Sequence, residues 1–138
     1  MEDKQPPQCA KELLDRYANG ERDFRGASLC GSNLKSENLR EADLRGADLR
    51  DAVLDHADLT KVRLENADLR KTHLGDSHLR EAFLRGAQLQ EAHLVAADLE
   101  EADLAGADLN KVDLTGANLK GANLLEALLI NARVQRAN

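Results

Sequence analysis

Residues 42–51 read Ala42-Asp43-Leu44-Arg45-Gly46-Ala47-Asp48-Leu49-Arg50-Asp51, two copies of one five-residue pattern laid end to end. The pattern extends in both directions. From Phe24 onward every fifth residue is Leu as far as Leu129, with Val134 last, so that Leu fills 21 of 23 positions. We call this position the centre of a repeat. Two residues before it stands Ala in 16 repeats, and immediately before it stands Asp or Asn in 13. The two residues after the centre vary and are mostly polar or Gly.

A period of five fits neither regular structure. Five residues advance about 500° around an α-helix, a drift of about 140° per repeat, so the Leu residues would spray around the axis. A flat strand fails because an odd period sends successive Leu residues to opposite faces. The pattern therefore predicts a chain that turns a corner in every repeat, with each Leu pointing at a common axis and coils stacked at ~4.8 Å. Ala is small because it also points inward. Gly26, Gly46, Gly86, Gly106 and Gly116 suit corner dihedrals that penalise a Cβ.

Segments such as Ala42-Asp43-Leu44-Arg45-Gly46 and Ala117-Asn118-Leu119-Lys120-Gly121 resemble the pentapeptide-repeat family, whose pattern is Ala, then Asp or Asn, then Leu and two variable residues. The resemblance covers residues 22–136, and the N-terminal helix followed by Gly20 to Phe24 is similar to cyanobacterial members. It implies an all-β solenoid, a right-handed quadrilateral β-helix with four repeats per coil, here a rod of nearly six coils and about 28 Å. Arg22, Ser32 and Glu37 depart from the inward Ala, as do Thr72 and Ser77. A buried charge is costly, so the first coil is expected to be distorted or open at Glu37.

Two parts follow: residues 1–21 as an N-terminal segment and residues 22–138 as the solenoid. After Pro6-Pro7, the run Gln8 to Tyr17 places Ala10, Leu13, Leu14 and Tyr17 at helical spacing, which predicts a short α-helix capping the first coil. Near the other end the outward positions turn apolar at Leu125, Leu128 and Ile130. They read either as a local seal or as an interface with a second copy, a homodimer through the C-terminal coil. C-terminal pairing of that kind is known in the family. Cys9 and Cys30 share no metal-ligand spacing and are either free thiols or a disulfide clip.

Composition limits the function. The chain has no Trp, one Tyr and two Phe among 138 residues, 32% charged residues and a net charge of −6. Acidic and basic residues are interleaved, which disfavours direct nucleic-acid binding. No apolar run is long enough for a membrane span, and the polar N-terminus lacks a secretory apolar core, so a cytoplasmic location is expected. No phosphate loop, nucleophile elbow or metal spacing is present, so no enzyme activity, catalytic residue, cofactor or metal is expected.

Some family members act as DNA mimics that present acidic rods to DNA gyrase. Under four repeats per coil, the outward residues of the four faces carry net charges of −1, −1, 0 and −2. No face is a one-signed stripe, so an inhibitor of gyrase is the alternative reading and not the first. Asp98, Glu100, Glu101 and Asp103 form a small acidic patch, read as solvated surface. His73 and His93 fall one coil apart on one face without an evident third ligand. Phe83, Val95 and Val53 interrupt the polar surface. Arg63, Phe83 and Arg85 share the face that begins at Phe24 and are expected to form a lateral contact with an unidentified protein partner. The sequence thus reads as a non-catalytic interaction or scaffold module.

Overall fold

In the computed structural model, which describes residues 4–138, the repeats wind into one continuous stack of coils. Parallel bridges join residues twenty apart, from Asp23 with Asp43 to Asp113 with Arg133, so one coil is four repeats. Each repeat contributes a single bridging residue, the one before the centre, and the chain then turns. Among the described residues the β structure therefore consists of one-residue rungs with no longer strand.

The repeat at Ala42–Gly46 shows how five amides are satisfied. Ala42 N donates to Leu39 O at 3.1 Å, closing the preceding corner. Asp43 N donates to Arg22 O in the coil before, and Leu44 N to Arg63 O in the coil after, both at 2.8 Å. Gly46 N donates to Glu65 O at 3.1 Å. The fifth amide, on Arg45, donates to the Asp43 carboxylate at 3.3 Å. Main chain and one side chain together complete the account that buried backbone demands.

Every corner places the second residue after the centre at positive φ, as a type II turn requires. Gly fills that position at Gly26, Gly31, Gly46, Gly86, Gly106, Gly116 and Gly121. Sixteen other corners hold non-Gly residues between 53° and 62°, among them Lys61, Glu81 and Ala96. The inter-coil ladder fixes the corner there against the residue's own preference.

The interior is a column of Leu and Ala, buried from Ala27 to Ala117, with Phe24 at the top. Thr72 and Ser77 take the inward place of Ala and are fully buried, yet each hydroxyl donates to a carbonyl three residues back at 2.7 Å. Their polarity is thereby satisfied. Lower down, Leu119, Leu124, Ala127 and Ala132 are partly buried and packed against the column.

The first coil is regular at Glu37, contrary to the distortion expected there. Glu37 N closes the corner on Leu34 O at 3.2 Å, and Asn38 bridges Asp58. The reason is position: Glu37 lies in the first coil, where its side chain is half-buried and its carboxylate needs no dry interior. Arg22 is likewise exposed, its guanidinium 3.7 Å from the centre of the Tyr17 ring.

Helix α1, Ala10–Ala18, lies against the first coil. Leu13 is buried in the core, and Ala10, Leu14 and Tyr17 pack against it half-buried. Tyr17 donates its hydroxyl to Arg40 O at 2.9 Å. Before the helix, Pro7 O accepts from Ser28 N at 2.9 Å, which continues the ladder one step above the first coil. Cys9 precedes α1 and Cys30 occupies an outward turn position; both are exposed free thiols, so no clip joins them.

Candidate functional site

The outward surface is shaped by the residue before each centre. All thirteen Asp or Asn residues there accept a hydrogen bond from the amide two residues on, at 3.0 to 3.3 Å, as from Arg25 to Asp23 and from Leu125 to Asn123. This local bond is the reason Asp and Asn recur: their short side chains reach their own turn. The side chain is thereby folded back, and most of these residues are half-buried.

The device is also missing singly or at the end of the rod, at Ser28, Val53, Arg63, Leu128 and Arg133, but its longest gap is one continuous band. Five successive repeats carry His73, His78, Phe83, Gln88 and His93 in its place. Among the described residues no side chain accepts from the amides of Arg80, Arg85, Gln90 or Val95, while Gly75 N turns to Asp55 in the coil above at 3.1 Å. All five of those side chains project outward and are exposed. Because four repeats make a coil, the band encircles the rod as a belt of rings and amide. The composition is legible in the sequence; the belt is not, because the tie between Asp or Asn and its own turn depends on the corner geometry.

The expected lateral contact lies on one face of this belt. Phe83 is 42% exposed and Arg63 sits in the coil above, its guanidinium 6.0 Å from the ring centre. Arg63 also donates to Glu65 at 3.1 Å, and Arg85 is paired with Asp103 in the coil below. The structure thus brings Arg63 onto Phe83 and turns Arg85 toward a carboxylate. Val95 adds a second exposed apolar side chain, on another side of the belt.

Three members of the acidic patch are ion-paired. Arg80 donates to Glu100 at 2.7 Å and to Asp98 at 3.4 Å, and Asp103 is held by Arg85. Elsewhere Arg–Asp forks recur inside single repeats: Arg25 on Asp23, Arg45 on Asp43, Arg50 on Asp48, Arg70 on Asp68. The Arg25 guanidinium pulls the Asp23 carboxyl down to about 2, and the Arg50 and Arg70 forks lower Asp48 and Asp68.

Leu125, Leu128 and Ile130 are exposed near the C-terminal end of the rod at 68%, 48% and 65%, and Leu129 and Val134 are exposed with them. The four histidines gather on two adjoining faces, His73 stacked on His93 with ring centres 5.2 Å apart and His56 4.0 Å from Asp76. An open groove of about 360 Å³ lies beside His93, between Lys111, Asp113 and Arg133.

Comparison with known proteins agrees with this geometry. The family model for pentapeptide repeats matches in eight copies, over residues 23–60, 38–76, 67–106 and 107–138. A search of curated proteins finds no match. Among solved structures, a pentapeptide repeat protein (Rfr23) from the cyanobacterium Cyanothece 51142 is similar over 93% of this chain and 95% of its own, at 28% identity and a TM-score of 0.77. AT2G44920, a pentapeptide repeat protein of the Arabidopsis thaliana thylakoid lumen, is similar over 67% of this chain and 64% of its own, at 28% identity and a TM-score of 0.65. These likenesses imply the right-handed quadrilateral β-helix. Among the described residues no helix is long and apolar enough to cross a membrane.

Proposed function

The chain belongs to the pentapeptide-repeat family, and from that premise we propose that it is a non-catalytic interaction or scaffold rod whose lateral contact is centred on Phe83. The observation that carries the reading is the belt. Ten repeats lack a local hydrogen bond that thirteen others keep; five of the ten are successive, and all five send a larger side chain outward. Local rules are commonly broken where function requires it. Phe83, with Arg63 over its ring, supplies the aromatic and Arg pairing that anchors protein contacts. The interior, filled by Leu and Ala, turns the chemistry of the chain toward its surface.

Two further assignments belong to the same proposal. The apolar patch at Leu125, Leu128 and Ile130 pairs with a second copy, since contiguous exposed apolar surface marks contacts. A cytoplasmic location fits two exposed free thiols. The alternative, a gyrase-directed DNA mimic, needs nearly unopposed negative charge, whereas several carboxylates here are paired with Arg, among them Asp43, Asp48, Asp68 and Glu100.

The test is a quantitative pull-down from bacterial lysate with wild type beside a Phe83→Ala, Arg85→Ala variant. A partner held by wild type and lost by the variant supports the reading; equal recovery by both sinks the lateral contact. Gyrase subunits among the losses, with supercoiling inhibited by substoichiometric protein, would put the mimic first.

A further inference from the structure

We propose that His73 and His93 form a two-imidazole site for a divalent transition-metal ion. The ladder sets their spacing. They are bridge partners in adjacent coils, so their backbones are locked side by side, and neither can drift in register without breaking the bonds from Leu74 N to His93 O and from His93 N to Thr72 O, at 2.7 and 2.9 Å. Both side chains are exposed, and their rings stand at 19° to one another with centres 5.2 Å apart. Among the described residues no hydrogen bond engages either ring, which leaves their nitrogens available. His56, by contrast, faces Asp76.

Imidazole nitrogens bind a zinc-like ion at ~2.0–2.1 Å, so the two exposed rings need only lean toward one another by side-chain rotation. The remaining positions fall to water, because among the described residues no group of three or more His, Cys, Asp or Glu could hold an ion. Two nitrogens without clustered carboxylates select nickel, copper or zinc over magnesium or calcium. Along the same column Val53 lies above the pair and Asp113 below it, the Asp113 carboxylate accepting from Thr115. The proposal stands apart from the protein-contact reading, since it concerns the face opposite Phe83 and needs no partner.

Isothermal titration of the full chain with nickel chloride tests it, using wild type, His73→Gln, His93→Gln and a His56→Gln, His78→Gln double variant. The expected result is one ion per chain, weakened at least about tenfold in each single variant and unchanged in the double variant. Absence of binding to wild type overturns the site. So does binding that survives His73→Gln, which would move the ion elsewhere, for instance to the thiols of Cys9 and Cys30.

Discussion

Asp43 accepts a hydrogen bond from the amide of Arg45 at 3.3 Å, and its carboxylate lies folded over its own corner. Twelve other repeats make the same bond with Asp or Asn. It serves the one amide per repeat that the backbone of the turn and of the neighbouring coils leaves without an acceptor.

Replacing Asp43 by Ala should lower stability by about 1 kcal/mol, the usual net worth of such a bond. Asp43→Asn keeps the acceptor and loses only the ion pairs with Arg45 and Arg25, so it should cost less. In the belt the same logic runs backward: Gln88→Asn gives the Gln90 amide an acceptor and should raise stability by roughly 0.5–1 kcal/mol. Urea midpoints of the three variants check this. Equal midpoints for Asp43→Ala and Asp43→Asn would refute the role assigned to the side chain.

The corners yield a second expectation. Ala96 holds φ at 58° and Gly46 at 67°, so the two positions are conformational equivalents with opposite residues. A left-handed L-residue costs roughly 1–2 kcal/mol, part of it offset by the greater freedom of unfolded Gly. Ala96→Gly should therefore raise the melting temperature and Gly46→Ala lower it, with no neighbour near enough to Gly46 to add a clash.

Acid should unfold the rod through its forks. Asp23, Asp48 and Asp68 titrate below the ordinary 3.8 because Arg25, Arg50 and Arg70 hold them ionised. A carboxylate depressed on folding adds stability above its unfolded value and loses it as pH falls through the folded one. The loss is thus expected between about pH 4 and pH 2, with little change above. Asp48→Asn should flatten that slope in a series of thermal melts; an unchanged slope would assign acid unfolding to other groups.

Pairing through the last coil predicts a dimer in sedimentation. Leu128→Glu with Ile130→Glu places two charges in the apolar patch and should leave a monomer. If wild type and variant sediment alike, that patch does not join copies.

Much of the architecture was readable from residue spacing. A period of five excludes helix and strand by geometry, and the Leu and Ala columns lie buried where that reasoning puts them as far as Ala117, beyond which they open to solvent at Leu129 and Val134. Spacing alone could not count repeats per coil, because any corner-turning chain keeps its Leu inward; the resemblance supplied four, and the bridge from Asp23 to Asp43 shows it. Glu37 departs from expectation because an inward position does not mean full burial in the first coil. Lys61 and Glu81 at positive φ were illegible, since nothing local to them prefers it. The Asp and Asn column is visible in the sequence, but its tie to the amide two residues on exists only once the corner has formed. Without that tie, His73 through His93 look like scattered exceptions instead of one belt.

The most direct test of the belt is photo-crosslinking in cells, with a benzophenone amino acid placed at Phe83 or, as control, at Asp43 on the same face outside the belt. The account predicts a discrete adduct from position 83 that is absent from position 43. Equal adducts from both positions, or none from position 83, would contradict the claim that the belt is where this rod is held.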